Sequence, residues 1–187
     1  LEGRCIDCIG YPYMVSPNAE GRSSKRIVIP FTHKGMMVGH TARFIDNRQP
    51  KFISDAQQGY VFGVDLQKDN WEHVLVVEGV FDALAINGLA VLHNDINDTQ
   101  IQVIRNLGKN ITVVPDQDQA GMALVDKAIE LNWAVSMPEW PEGIKDVNDA
   151  VVKFGKLATL LTIMQARETS RIKIELAKRN LIKKLQK

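Results

Sequence analysis

Between residues 73 and 137, apolar runs rich in β-branched residues alternate with helix-period patterns, and this rhythm leaves few folds open. His73–Glu78, Leu89–Leu92, Ile111–Pro115 and Trp133–Met137 read as strands buried on both faces. Val80–Asn87, Thr99–Leu107 and Ala120–Leu131 lie between them and read as helices, with Phe81, Leu84 and Ala85 at i, i+3, i+4. Gly88 and Gly108 follow the first two helices and suit their C-terminal caps. Strand and helix alternating through short connections call for a parallel sheet with crossover helices.

Acidic residues mark the ends of this pattern. Glu78-Gly79-Val-Phe-Asp82 follows one buried run and Asp116-Gln-Asp118-Gln-Ala-Gly121 another, while Lys145-Asp146-Val-Asn148-Asp149 opens a further helical stretch. Open α/β sheets build their sites at the carboxyl ends of the strands. Carboxylates gathered there repel one another unless a cation neutralises them. The expectation is a magnesium site acting on phosphates. Asp116 and Asp118 are two apart, so in extended backbone both point the same way. Glu78 completes the set as a ligand or as a general acid/base, and Asp82 sits one turn into the next helix. Gly79 and Gly121 leave room for a close approach of phosphate or backbone. Asp146 and Asn148 have two readings, as caps of the following helix and as supports of the metal site.

The remaining segments frame this centre. Arg26–Phe31 and Met36–Phe44, joined by His33-Lys-Gly35, read as a hairpin, with Lys51–Ser54 as a further strand. Val147–Phe154, Leu157–Ala166 and a basic amphipathic stretch from Glu168 to Lys187 read as helices, the last with Ile174, Ala177, Leu181 and Leu185 on its apolar face. The expected class is α/β, divided into a β-hairpin-rich mixed module over 1–62, the parallel sheet over 63–150 and a helical segment over 151–187. Net charge is +1, but residues 1–60 carry eight Lys/Arg against five Asp/Glu, residues 61–150 five against fifteen, and residues 151–187 ten against two. A near-neutral total with this segregation is compatible with polyanion binding: the acidic centre wants cations and the basic flanks want phosphates.

Other classes are disfavoured. No apolar run reaches the ~20 residues of a membrane helix, and the opening residues lack the apolar core of a signal peptide. Leu1 is not an initiator methionine, and the chain reads as part of something longer. Cys5 and Cys8 form a lone CxxC without a second pair, so no zinc site is expected within the chain. His33, His40, His73 and His93 lack metal-ligand spacing, and Trp71, Trp133 and Trp140 are expected in the core or anchoring loops more than stacked on bases.

Val-Val-Glu78-Gly79 before a helix, followed by Asp116-x-Asp118-x-Ala-Gly121, resembles the Toprim fold shared by primases, topoisomerases and certain nucleases. Ile29-Pro-Phe, Gly35, Val38-Gly-His-Thr-Ala-Arg43, Pro50-Lys51-Phe52 and Tyr60-Val-Phe62 resemble the segment preceding Toprim in bacterial and phage replicative primases, and Lys145-Asp146-x-Asn148 resembles their third acidic motif. The resemblance covers about residues 26–155. It implies a Toprim-like sheet flanked by helices and an enzyme that synthesises RNA primers on single-stranded DNA from ribonucleoside triphosphates. Its implied metal residues are Glu78, Asp82, Asp116, Asp118 and Asp146, with Asn148 where many members carry an aspartate. Glu78, Asp116 and Asp118 are the implied catalytic set, served by Mg2+ with Mn2+ as a substitute. Arg43 and Lys51 are the implied template and nucleotide contacts, joined by Lys145. A replicative helicase and a cytoplasmic location, in the host if phage-encoded, are implied as well. Two other classes stand beside this one. A Toprim nuclease or topoisomerase would cut without triphosphates, although Tyr11, Tyr13 and Tyr60 lack the context of a topoisomerase nucleophile. A binding module would hold single-stranded DNA without chemistry.

Overall fold

The computed structural model describes residues 3, 11–16, 24–46, 48–92 and 96–186. Cys5, Cys8 and His93 lie outside them. The chain forms two compact units, one ending at Tyr60 and the other running from Val61 onward.

The first unit is an antiparallel sheet of β1 (Met14–Val15), β2 (Arg26–His33), β3 (Met36–Phe44) and β4 (Phe52–Ala56), in that spatial order. The expected hairpin is present, and β2 runs two residues past Phe31. Its turn works because Lys34 and Gly35 both take positive φ, 51° and 75°, the backbone twist that favours two-residue hairpins. Gly39 lets β4 draw close: a Cβ there would lie 2.2 Å from the Asp55 carbonyl oxygen. Ile29 and Phe31 are fully buried. Phe31 stacks on Tyr60 at 5.1 Å, and the Tyr60 hydroxyl donates to the Thr32 carbonyl at 2.9 Å.

The second unit carries a five-stranded sheet of β5 (His73–Val77), β6 (Leu89–Ala90), β7 (Asn110–Val113), β8 (Ala134–Ser136) and β9 (Arg167–Glu168), ordered β6-β5-β7-β8-β9. The first four in that order pair in parallel; β9 pairs antiparallel with β8. The helices are α1 (Val80–Ile86), α2 (Asp98–Arg105), α3 (Met122–Glu130), α4 (Val147–Phe154), α5 (Lys156–Gln165) and α6 (Arg171–Leu185). Val76, Leu89, Val91, Ile104, Val113, Leu124 and Val125 are fully buried between sheet and helices. Each such side chain contributes about 1.5–3 kcal/mol of burial. An Asn97–Gln100 capping box starts α2. Trp133 and Trp140 are buried, in the core-filling role expected for them.

Two local expectations are corrected. The left-handed residue ending α1 is Asn87, φ 58°, and not Gly88. Gly88 is needed for proximity instead, because a Cβ there would meet the Leu75 carbonyl oxygen at 2.8 Å. On α6, Ile174 is buried and Leu181 and Ile182 pack against the core, but Leu185 stays 44% exposed. Leu185 is the last residue of that helix, and the packing has already ended there.

Candidate active site

The ladder between β5 and β7 explains the first contact of the site. Val114 N–H donates to the Val76 carbonyl at 2.8 Å. Two residues on, where the strands stop, Asp116 N–H donates to Glu78 Oε1 at 3.1 Å. A carboxylate therefore takes over where the strand carbonyls end. Burial raises the Glu78 carboxyl above its ordinary range, opposed by the bond from Asp116 N–H and reinforced by the charge of Asp118.

Asp82, one turn into α1, points back across the strand ends. Its Oδ1 accepts from Asn148 N–H at 2.8 Å, linking α1 to the start of α4. Gly79 makes room for it, since a Cβ there would lie 2.5 Å from Asp82 Oδ2. Asp146 caps α4 and accepts from Asp149 N–H at 2.7 Å. Asn148 is 1% exposed, so it is placed inside the fold and holds Asp82 through its backbone.

The chain bends after β7, so Asp116 and Asp118 are not presented on one extended segment as expected. Asp118 Oδ1 instead accepts from Ala120 and Gly121 N–H, at 2.9 and 3.1 Å, in front of α3. Gly121 is pressed into the same corner, where a Cβ would meet the Asp116 carbonyl oxygen at 2.2 Å and Glu78 Oε1 at 2.8 Å. The glycine in this motif is thus set by the approach of α3 to the Asp116 loop.

The acids still converge electrostatically. The Asp116 carboxyl is pushed up to about 8, first by burial and then by the charges of Asp82, Glu78, Asp146 and Asp118 in that order. Every charge acting on it is negative. The donor set is therefore all hard oxygen, suited to a hard divalent cation. Among the described residues, no three of these groups stand in a ready-made ligating cluster. Glu78, Asp82, Asp118 and Asp146 each have an oxygen occupied by a backbone N–H.

Gln117, which carries no charge, also belongs to the site. Gln117 N–H donates to the Lys145 carbonyl at 2.7 Å, and its side-chain amide donates to the Pro138 carbonyl. It ties the Asp116 loop to the segment that delivers Asp146. Its position between two aspartates was the available signal. Lys145 is exposed beside this tie. Arg43 and Lys51 belong to the first unit, on β3 and just before β4. Arg43 pairs across the strands with Phe52, its guanidinium 5.0 Å over that ring.

Strand-end acids on a parallel sheet, with glycines at two points of close approach, coincide with a family match: the Toprim-like family covers residues 75–151. The chain carries a Toprim-like domain. It is 23% identical over 164 residues to a DNA primase of Clostridium acetobutylicum, covering 78% of this chain and 27% of that protein. It is 25% identical over 181 residues to a DNA primase of Aquifex aeolicus, covering 86% and 36%. The chain thus spans about a third of the length of these curated relatives. Among solved structures, the DnaG catalytic core matches at 25% identity and TM-score 0.66, over 78% of this chain and 54% of that one. A DnaG primase catalytic domain bound to single-stranded DNA matches at 22% and 0.65, over 82% and 56%. The α/β fold of this chain matches that of primase catalytic cores. No helix among the described residues is long and apolar enough to cross a membrane.

Proposed function

We propose that this chain is the catalytic core of a DNA primase, joining ribonucleotides into short primers on a single-stranded DNA template during replication. The observation that carries the reading is the gathering of Glu78, Asp82, Asp118 and Asp146 about Asp116 at the strand ends, in a Toprim-like domain whose relatives are DNA primases. So concentrated a negative field favours a divalent cation and, through it, a triphosphate.

The cation is Mg2+, with Mn2+ as a substitute. Glu78, Asp82, Asp116 and Asp118 would hold it with Asp146, and Asn148 would support them. Bound there, such a cation would supply neutralisation of the charge developing on the α-phosphate and polarisation of the attacking 3′-hydroxyl. Glu78 fixes the Asp116 loop through its bond to the backbone, and its raised pKa suits it to accept the proton that the 3′-hydroxyl loses as its oxygen bonds to the α-phosphorus and pyrophosphate departs. Asp82 and Asp146 anchor the start of α4 and so keep the third acidic motif beside the first. Arg43 and Lys51 contact template and triphosphate phosphates, and Lys145 contacts phosphate beside the acids. The working partners are single-stranded DNA, ribonucleoside triphosphates and a replicative helicase, in trans or in a longer chain, in the cytoplasm.

Primer synthesis from labelled ribonucleotides on single-stranded DNA tests this. Mg2+-dependent products are expected from the wild type, and none from Asp116→Ala or Glu78→Ala, both folded by circular dichroism. Undiminished synthesis by both variants would reject the site. Strand nicking without nucleotides would favour a nuclease instead.

A further inference from the structure

Arg26 is the largest fully buried side chain of the described residues, 2% exposed, yet it carries a permanent charge. Burying a guanidinium is costly unless its donors are satisfied. Here Nη1 donates to the carbonyls of Ala42 at 3.0 Å and Lys51 at 3.2 Å, and Nη2 donates to the carbonyl of Pro50 at 2.9 Å. The plane lies 3.4 Å over the Phe44 ring. Phe44 N–H donates to the same Lys51 carbonyl at 3.1 Å.

The three carbonyls belong to two segments. Ala42 immediately precedes Arg43, and Pro50–Lys51 lead into β4. One buried cation thus grips the backbone beside each of the two basic residues assigned above to phosphate contact. We infer that Arg26 is a positioning residue that sets the spacing of Arg43 and Lys51 for the backbone of single-stranded DNA. This rests on the nucleic-acid role proposed for those two residues. The geometry requires arginine: through its two terminal nitrogens a planar fork reaches acceptors on two segments while lying on a ring, whereas an ammonium is a single point with neither property. Arg26 itself, enclosed by β2, β3 and the Pro50 segment, makes no direct contact with DNA. It acts by fixing where the other two side chains start.

The test is a double-mutant cycle read by fluorescence anisotropy of a labelled single-stranded oligonucleotide at several salt concentrations. Arg26→Lys keeps the charge and loses the fork. It should raise the Kd about tenfold while the protein still melts cooperatively. In a Lys51→Ala/Arg43→Ala background, the same change should cost less than about twofold, because there is no longer anything to position. Phe44→Leu, which removes the ring under the guanidinium and leaves the carbonyls in place, should show the same coupling with a smaller loss. It decides the matter if Arg26→Lys does not fold. An equal loss in both backgrounds, or no loss in the wild-type background, overturns the inference. If Lys51→Ala and Arg43→Ala themselves leave binding unchanged, the nucleic-acid reading of those residues fails, and the positioning role fails with it.

Discussion

Withholding divalent cations should make the stability of this protein fall as pH rises from about 4 to about 8. The Asp116 carboxyl has a folded-state pKa near 8 against an ordinary 3.8. Between those values the folded state holds a proton that the unfolded chain has released, so each step upward in pH favours unfolding. The contribution is fully present below about pH 4 and gone above about pH 8. Glu78, whose carboxyl is also raised, acts in the same direction. At about 1.4 kcal/mol per pH unit, the rise at Asp116 sets a ceiling of about 6 kcal/mol. Relaxation of the neighbouring carboxylates and entry of water and counter-ions reduce this, and about 3 kcal/mol is the working figure. For a protein of this size that is a fall of roughly 6–12 °C in Tm. The assay is thermal unfolding in chelator from pH 4.5 to 8.5, repeated with millimolar Mg2+ and with Asp116→Asn. The slope should be steep in chelator, shallow with Mg2+, and shallow in the variant under both conditions. A flat or rising profile for the metal-free wild type would show that the acids are not crowded as described, and the electrostatic argument would fall.

Gly121→Ala should remove primer synthesis and cost about 2–4 kcal/mol in urea unfolding, because its Cβ meets backbone 2.2 Å away; wild-type stability would contradict the close approach. Asn97→Ala breaks the capping box at the start of α2 and should cost about 1 kcal/mol by chemical denaturation with activity retained. Lys51→Ala and Arg43→Ala should each weaken DNA binding and lower the salt slope by about one. An unchanged slope in anisotropy titrations would remove them from the phosphate contacts.

The sheet unit and the Toprim-like domain were legible because their signals are local. The β-branched run before Glu78 predicts β5 to within a residue, and the apolar spacing over Val147–Phe154 predicts α4 at both ends. The order of acidic motifs along that pattern was likewise a property of the chain. What tertiary structure decided is everything that depends on approach. Gly88 is a glycine because of the Leu75 carbonyl, not because α1 ends there. Asp118 turns to the front of α3 because the chain bends where backbone N–H groups are available, a contact that spacing alone does not state. Gln117 and Arg26 gave no periodic pattern, since the carbonyls they hold are 21–28 and 16–25 residues away. Periodicity records which face of an element is buried. It carries no account of which distant carbonyl, carboxylate or ring will arrive there, and at this site those arrivals set the charge on Asp116.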